Sequence, residues 1–157
     1  MTSTTLLSID PGINGGYMVQ LPTGAMLTGS LPDTEGDLLL MLEMLSMPPG
    51  VKNICYLENL VKFTGNPMPS SSMASYASNW GVLKGMLMAL KYQLVLVTPQ
   101  QWQKALGLGS SKGMTKTQWK NKLKAEAQRL FPNEKITLAN ADAALIFRHA
   151  ELVERQK

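Results

Sequence analysis

Cysteine and histidine are almost absent from this chain, with one of each in 157 residues. Cys55 has no partner for an internal disulfide, and no zinc-ligand spacing can be built. A reducing compartment is the simpler expectation, with the cytoplasm as default. Long apolar runs are missing too: none approaches the roughly 20 residues that span a bilayer. No basic region precedes an apolar one at the start, so neither a membrane nor a secretory role is expected.

Acids are scarce, 11 against 15 lysines and arginines, for a formal charge of +4. The imbalance is local. Lys104, Lys112, Lys116, Lys120, Lys122, Lys124 and Arg129 fall in one stretch whose only acid is Glu126, a candidate surface for a polyanion. The length suits one domain, 1–157, with a single substantial core.

Against this background three acids stand out by where they sit. Asp10 ends the apolar run Leu6-Leu7-Ser8-Ile9 and is followed by Pro11-Gly12 and the pair Gly15-Gly16. Glu58 closes Ile54-Cys55-Tyr56-Leu57, and Asp142 opens the helical pattern Asp142-Ala143-Ala144-Leu145-Ile146-Phe147. An uncompensated charge at the end of a core element costs free energy, so three such carboxylates point to a cation. Taken singly, each has an ordinary reading: Asp10 as a turn residue, Glu58 as the end of an edge strand, Asp142 as a first-turn acid favoured by the helix dipole. Together they predict a metal site.

The punctuation of the chain predicts a mixed five-stranded α/β sheet flanked by helices. Three antiparallel strands, Thr4 to Asp10, Gly16 to Leu21 and Ala25 to Leu31, come first, the last two joined by the turn Pro22-Thr23-Gly24. Helix and strand then alternate. Asp33 or Thr34 caps a helix through Leu45, and Val51 to Glu58 is the fourth strand. Asn59 to Ser72 reads as a long mobile loop. A helix from Met73 to Tyr92 carries a stripe of small residues, Ala74, Ala77, Gly81 and Gly85, suited to packing on the sheet. Gln93 to Val97 is the fifth strand. A helical turn from Pro99, a basic loop Gly107 to Gly113, a helix capped by Thr115 and a last helix from Asn140 to Glu154 complete the chain. Trp80, Trp102 and Trp119 are assigned to the core, and Met41, Met44, Met86 and Met88 to core filling. His149 is too far along its helix from Asp142 to share an ion with it.

Ser8-Ile9-Asp10-Pro11-Gly12, Tyr56-Leu57-Glu58 and Ala141-Asp142-Ala143-Ala144-Leu145, in this order and spacing, resemble the three acidic motifs of the RuvC family of Holliday junction resolvases. That family has a ribonuclease H-like fold. The segments Tyr76 to Leu90, Thr98-Pro99-Gln100-Gln101-Trp102 and Leu106-Gly107-Leu108 are similar to it too, and the chain looks most like short bacteriophage and prophage versions. The resemblance implies a magnesium-dependent crossover junction endodeoxyribonuclease acting in recombination and repair. It also implies a homodimer with two active sites on one four-way junction.

The resemblance assigns Asp10, Glu58 and Asp142 as ligands of two Mg2+ or Mn2+ ions, with Asp10 bridging, and products carrying a 5′-phosphate and a 3′-hydroxyl. Lys116 resembles a family lysine near the scissile phosphate. Lys62, Lys104, Lys112, Lys120 and Lys124 are expected to contact DNA. Val61 or Phe63 occupies the region from which relatives insert an apolar wedge, and Phe63 is preferred by size. The dimer interface is expected on the helix beginning near Met73.

In one respect the chain departs from the family: a fourth acid belongs shortly before Asp142, where the sequence reads Lys135-Ile136-Thr137-Leu138-Ala139-Asn140-Ala141. Either the second ion has fewer protein ligands, helped by Asn140 or water, or activity is reduced, or Ala139 is a substitution. The first is preferred, since magnesium keeps several waters. Two rival readings remain. One is a catalytically weak or inactive branched-DNA-binding protein. The other is a fragment of an actin-like ATPase, whose phosphate loop Asp10-Pro11-Gly12 also resembles; 157 residues leave no room for its second domain, so no nucleotide cofactor is expected.

Overall fold

The computed structural model describes residues 3–46, 49–59 and 70–157. Five strands form one sheet: β1 (Thr4–Asp10), β2 (Gly16–Gln20), β3 (Met26–Ser30), β4 (Lys52–Glu58) and β5 (Gln93–Val97). Their order across the sheet is β3-β2-β1-β4-β5, antiparallel through the first three and parallel from β1 to β4 to β5. The expected mixed sheet is the observed one. Helices α1 (Glu35–Leu45), α2 (Ser70–Ala89), α3 (Pro99–Ala105), α4 (Lys116–Leu130) and α5 (Ala141–Arg155) flank it. Among the described residues no helix is long and apolar enough to cross a membrane.

Strand alternation divides the core in two. Leu7, Ile9, Val19, Cys55 and Leu57 face α1 and α2, where Leu42, Leu45, Leu83 and Leu87 meet them. Leu6, Met18, Ile54 and Tyr56 face the other way, toward Trp102, Leu123, Ala127 and the apolar side of α5. Asp10 and Glu58 continue this second set at the strand ends. β1 is buried from Thr5 to Ile9, which explains why it is apolar on both faces.

α5 lies directly against β1 and β2. Ala141, Ala143 and Ala144 are small enough to bring its backbone onto the sheet, while Leu145, Ile146 and Phe147 are fully buried. Each of the larger three contributes on the order of 1.5 to 3 kcal/mol by leaving water. The approach is close enough for the Ser8 hydroxyl to donate to the Ala143 carbonyl at 2.7 Å. At the same end, a Cβ on Gly16 would lie 2.6 Å from the Ala139 carbonyl oxygen and 2.7 Å from the Gly29 oxygen. Only glycine lets the segment leading into α5 rest on β2.

Helix caps follow the expected chemistry. Thr34, Thr98 and Thr115 accept from the third residue of α1, α3 and α4, and Gln101 and Gln118 complete capping boxes on the latter two.

Three expectations are corrected. α2 begins at Ser70 and ends at Ala89, so Ser70 to Ser72 are helical rather than loop, and Tyr92 lies beyond the helix, its hydroxyl donating to the Leu42 carbonyl at 3.0 Å. The small-residue stripe of α2 faces outward: Ala74, Ala77, Gly81 and Gly85 are exposed, and Trp80, Leu83 and Leu87 make the sheet contact. Leucine and tryptophan bury more apolar area than alanine and glycine, so they take the inner face. Of the four methionines assigned to core filling, Met41 and Met86 pack on the core, while Met44 and Met88 are 66% and 57% exposed.

Gly16→Ala should therefore cost about 2 to 3 kcal/mol in chemical denaturation, an overpacking penalty. Gly36→Ala, in α1 with nothing within 4 Å of its added methyl, should be neutral or gain up to about 1 kcal/mol.

Candidate active site

The parallel register that pairs Ile9 with Leu57 sets Asp10 and Glu58 side by side at the carboxyl ends of adjacent strands. Neighbouring strands are about 4.8 Å apart. α5 starts over the same corner, because Ser8, two residues before Asp10 on the same face, is bonded to Ala143, the neighbour of Asp142. The three acids singled out in the sequence thus come from two strands and one helix to one place.

Each carboxylate is positioned by its own neighbours. Asp10 Oδ1 accepts from the Gly12 amide at 3.3 Å, and the following turn is closed by Gly15 N donating to the Gly12 carbonyl at 2.7 Å. A Cβ on Gly15 would fall 2.0 Å from the Asp10 carbonyl oxygen, so the turn requires glycine there. The turn reading and the site reading of Asp10 describe the same residue. Glu58 is gripped by two indoles: Trp102 Nε1 donates to Oε2 at 3.0 Å, and Trp80 Nε1 to the backbone carbonyl at 2.9 Å. Asp142 is 8% exposed; Lys120 Nζ donates to its Oδ2 at 2.5 Å, while Oδ1 is buried without a hydrogen-bond partner among the described residues.

Burial, then the charge of Asp142, lifts the Asp10 pKa to about 6, against the Gly12 amide and Lys120. Burial and the Asp10 charge lift Glu58 to about 8, opposed by the Trp102 hydrogen bond. Burial works against the Lys120 ammonium, but Asp142, Asp10 and Glu58 together pull its pKa above the usual lysine value. The Tyr76 hydroxyl, on α2, is pushed up to about 12 by burial and by the fields of Glu58 and Asp10.

These residues fit a hard divalent cation. The donors are all carboxylate oxygens, the choice of magnesium and manganese. The orphaned Asp142 Oδ1 supplies an acceptor that nothing else among the described residues satisfies. Among the described residues the three side chains are not drawn into a closed ligand group. Mutual repulsion keeps carboxylates apart until a cation compensates them.

Lysines expected at DNA separate into two groups. Lys116, Lys120 and Lys124 recur every four residues along α4, and it is Lys120, not Lys116, that reaches a carboxylate; Lys116 is exposed at the first position of the helix. Lys104 and Lys112 are exposed nearby in sequence, on α3 and on the loop before α4. Lys62, Phe63 and Val61 lie outside the described residues. Asn140 is not free to help an ion: it is 1% exposed, its Oδ1 accepts from the Thr137 amide at 2.8 Å and its Nδ2 donates to the Lys135 carbonyl at 3.0 Å. His149 packs edge-on against Tyr56.

Sequence reasoning missed Trp80, Trp102 and Tyr76 as members of this site. For the tryptophans a signal existed, since a buried indole N–H needs an acceptor. Its identity came from residues 22 and 44 positions away.

A carboxyl with a higher pKa folded than unfolded binds its proton more tightly in the fold. Its contribution is fully present below the unfolded value, near 4.5 for Glu58, and is lost as pH rises toward about 8. In chelator-containing buffer the melting temperature should fall across that window. Glu58→Gln, which keeps an acceptor for Trp102, should flatten the fall and melt higher at pH 8 by about 3 to 6 °C, for about 1 to 2 kcal/mol. Equal pH slopes for the two proteins would refute the electrostatic account.

No protein-family model matches the chain, and no curated protein matches it. Among solved structures the chain is similar to one titled Thermus thermophilus RuvC structure, with a TM-score of 0.55 and 15% identity over 97% of this chain and 96% of that one. The sheet order, the flanking helices and the whole-length match agree: this chain has a RuvC-like, ribonuclease H-like fold.

Proposed function

We propose that the protein is a structure-specific endodeoxyribonuclease that resolves four-way and related branched DNA by hydrolysis dependent on magnesium or manganese. The observation that carries this reading is the convergence of Asp10, Glu58 and Asp142 on one corner of a RuvC-like fold, beside a row of lysines. A divalent ion held by these carboxylates would activate a water for in-line attack on the phosphodiester and stabilise the leaving 3′-oxygen. The chain's own groups supply the rest. Trp102 and Trp80 fix Glu58, so little reorganisation is needed there when substrate arrives. Lys116, Lys120 and Lys124 follow phosphates leading into the site, with Lys104 and Lys112 as outlying contacts. On sequence grounds, Lys62 and Phe63 contact the crossover.

Cutting a four-way junction on two symmetric strands needs two sites, and we propose a homodimer formed through the outward stripe of α2. A Cβ built on Gly81 or Gly85 of that stripe would meet nothing within 4 Å, and their bare backbone allows two helices to approach closely. The second reading, a branched-DNA-binding protein that does not cut, is favoured by one observation: Asp142 is occupied by Lys120, and residues 135–141 before it contain no acid.

With magnesium, a synthetic four-way junction should be cut in preference to linear duplex, and Asp10→Asn should slow cutting at least about 1,000-fold, with binding within about threefold of the parent. Tight binding with no cleavage in magnesium or manganese would establish the second reading. Binding should weaken about 100-fold between 50 and 200 mM salt if roughly four lysines meet phosphates. Sedimentation should show a dimer that Gly81→Arg converts to monomer; an unchanged dimer would place the interface elsewhere.

A further inference from the structure

We propose that Lys120 is the second cation of this site: its ammonium holds the place of a second divalent ion on Asp142, so the chain loads one ion, which Asp10, Glu58 and Asp142 would hold. This departs from the two-ion expectation and rests on the preceding reading only in taking a divalent ion as the ligand.

Three observations support it. First, a second ion would need ligands of its own beside Asp142, and the segment leading into α5 offers neither an acid nor a free Asn140 amide. Residues 135–141 contain no acid. The Ala139 carbonyl is pressed toward Gly16, and both ends of the Asn140 amide are committed to Thr137 and Lys135. Second, Asp142 Oδ2 already has a cation, the Lys120 ammonium that donates to it. The remaining oxygen, Oδ1, is buried and unpartnered, which leaves one coordination position on Asp142 rather than two. Third, the charges close. Before DNA arrives, three carboxylates are neutralised by one lysine and one divalent ion; a second divalent ion would leave two positive charges in excess in a site largely removed from water.

The position of Lys120 explains how it can do this. It lies beside Trp119, which packs on the core, and is itself 41% exposed, so its stem runs along the α4 and α5 contact while its head reaches Asp142. Lys116 and Lys124, one turn away on either side, make no ion pair among the described residues. A lysine here supplies fixed positive charge next to the scissile phosphate without needing to be loaded from solution.

Ion counting tests the idea without reference to cleavage. Metal-free full-length protein is titrated with Mn2+, and bound ions are counted from the loss of the free-ion electron paramagnetic resonance signal, with circular dichroism to verify folding. One ion per chain is expected for the parent and for Lys120→Arg, and two for Lys120→Met, the first binding at least about fivefold tighter than in the parent. Two ions in the parent, none in the parent, or one in Lys120→Met overturns the proposal; the parent result decides even if a variant fails to fold. The nuclease reading stands or falls separately. One ion in the parent and two in Lys120→Met, with junctions left uncut, would sink that reading and keep this one, and a cutting enzyme with two ions would do the reverse.

Discussion

Repulsion among Asp10, Glu58 and Asp142 is the constraint that organises this end of the molecule. Each is mostly out of water, where like charges are poorly screened, and burial together with the neighbouring acids lifts the proton affinity of Asp10 and Glu58. The surrounding groups answer that repulsion. Gly12 offers an amide to Asp10, Trp102 an indole N–H to Glu58, and Lys120 a full charge to Asp142. Three different chemical devices serve three acids.

The fold makes this arrangement repeatable by tying it to the sheet rather than to loops. Parallel pairing of β1 with β4 sets the spacing of the first two acids, and the Ser8 bond to Ala143 sets the third against them. Glycine at 15 and 16 removes the side chains that would push the turn and the α5 approach apart. The acids therefore meet because the backbone meets. Small residues near the site are as consequential as the charged ones.

Much of this was legible from the chain alone, and the failures have physical causes. β1 and β5 were readable to the residue because apolar runs end abruptly in glycine, proline or threonine signals. The acids were readable because a carboxylate at the end of a core strand has few explanations. The face of α2 was not: small residues at helical spacing suit either a close packing surface or an exposed one, and only the competing claim of Trp80, Leu83 and Leu87 on the sheet decides. Nor was the choice between Lys116 and Lys120, one turn apart on the same helix. It depends on how α4 crosses α5, which residue type does not encode. Asn140 looked like a spare ligand in sequence, yet its amide closes the loop behind it.

The hydrogen bond between Ser8 and Ala143 spans 135 positions of chain, and the third acid lies next to it. During synthesis the sheet from β1 to β5 can begin to pair long before α5 has left the ribosome, since domains grow from their N-terminal side. Until that last helix docks, the corner holds two acids and no Asp142 with its lysine. A nascent chain paused or truncated before residue 141 would carry all five strands and an incomplete acid cluster. The same long loop closure that slows folding makes completion of the acid cluster a late event, reached only when α5 docks on β1 and β2.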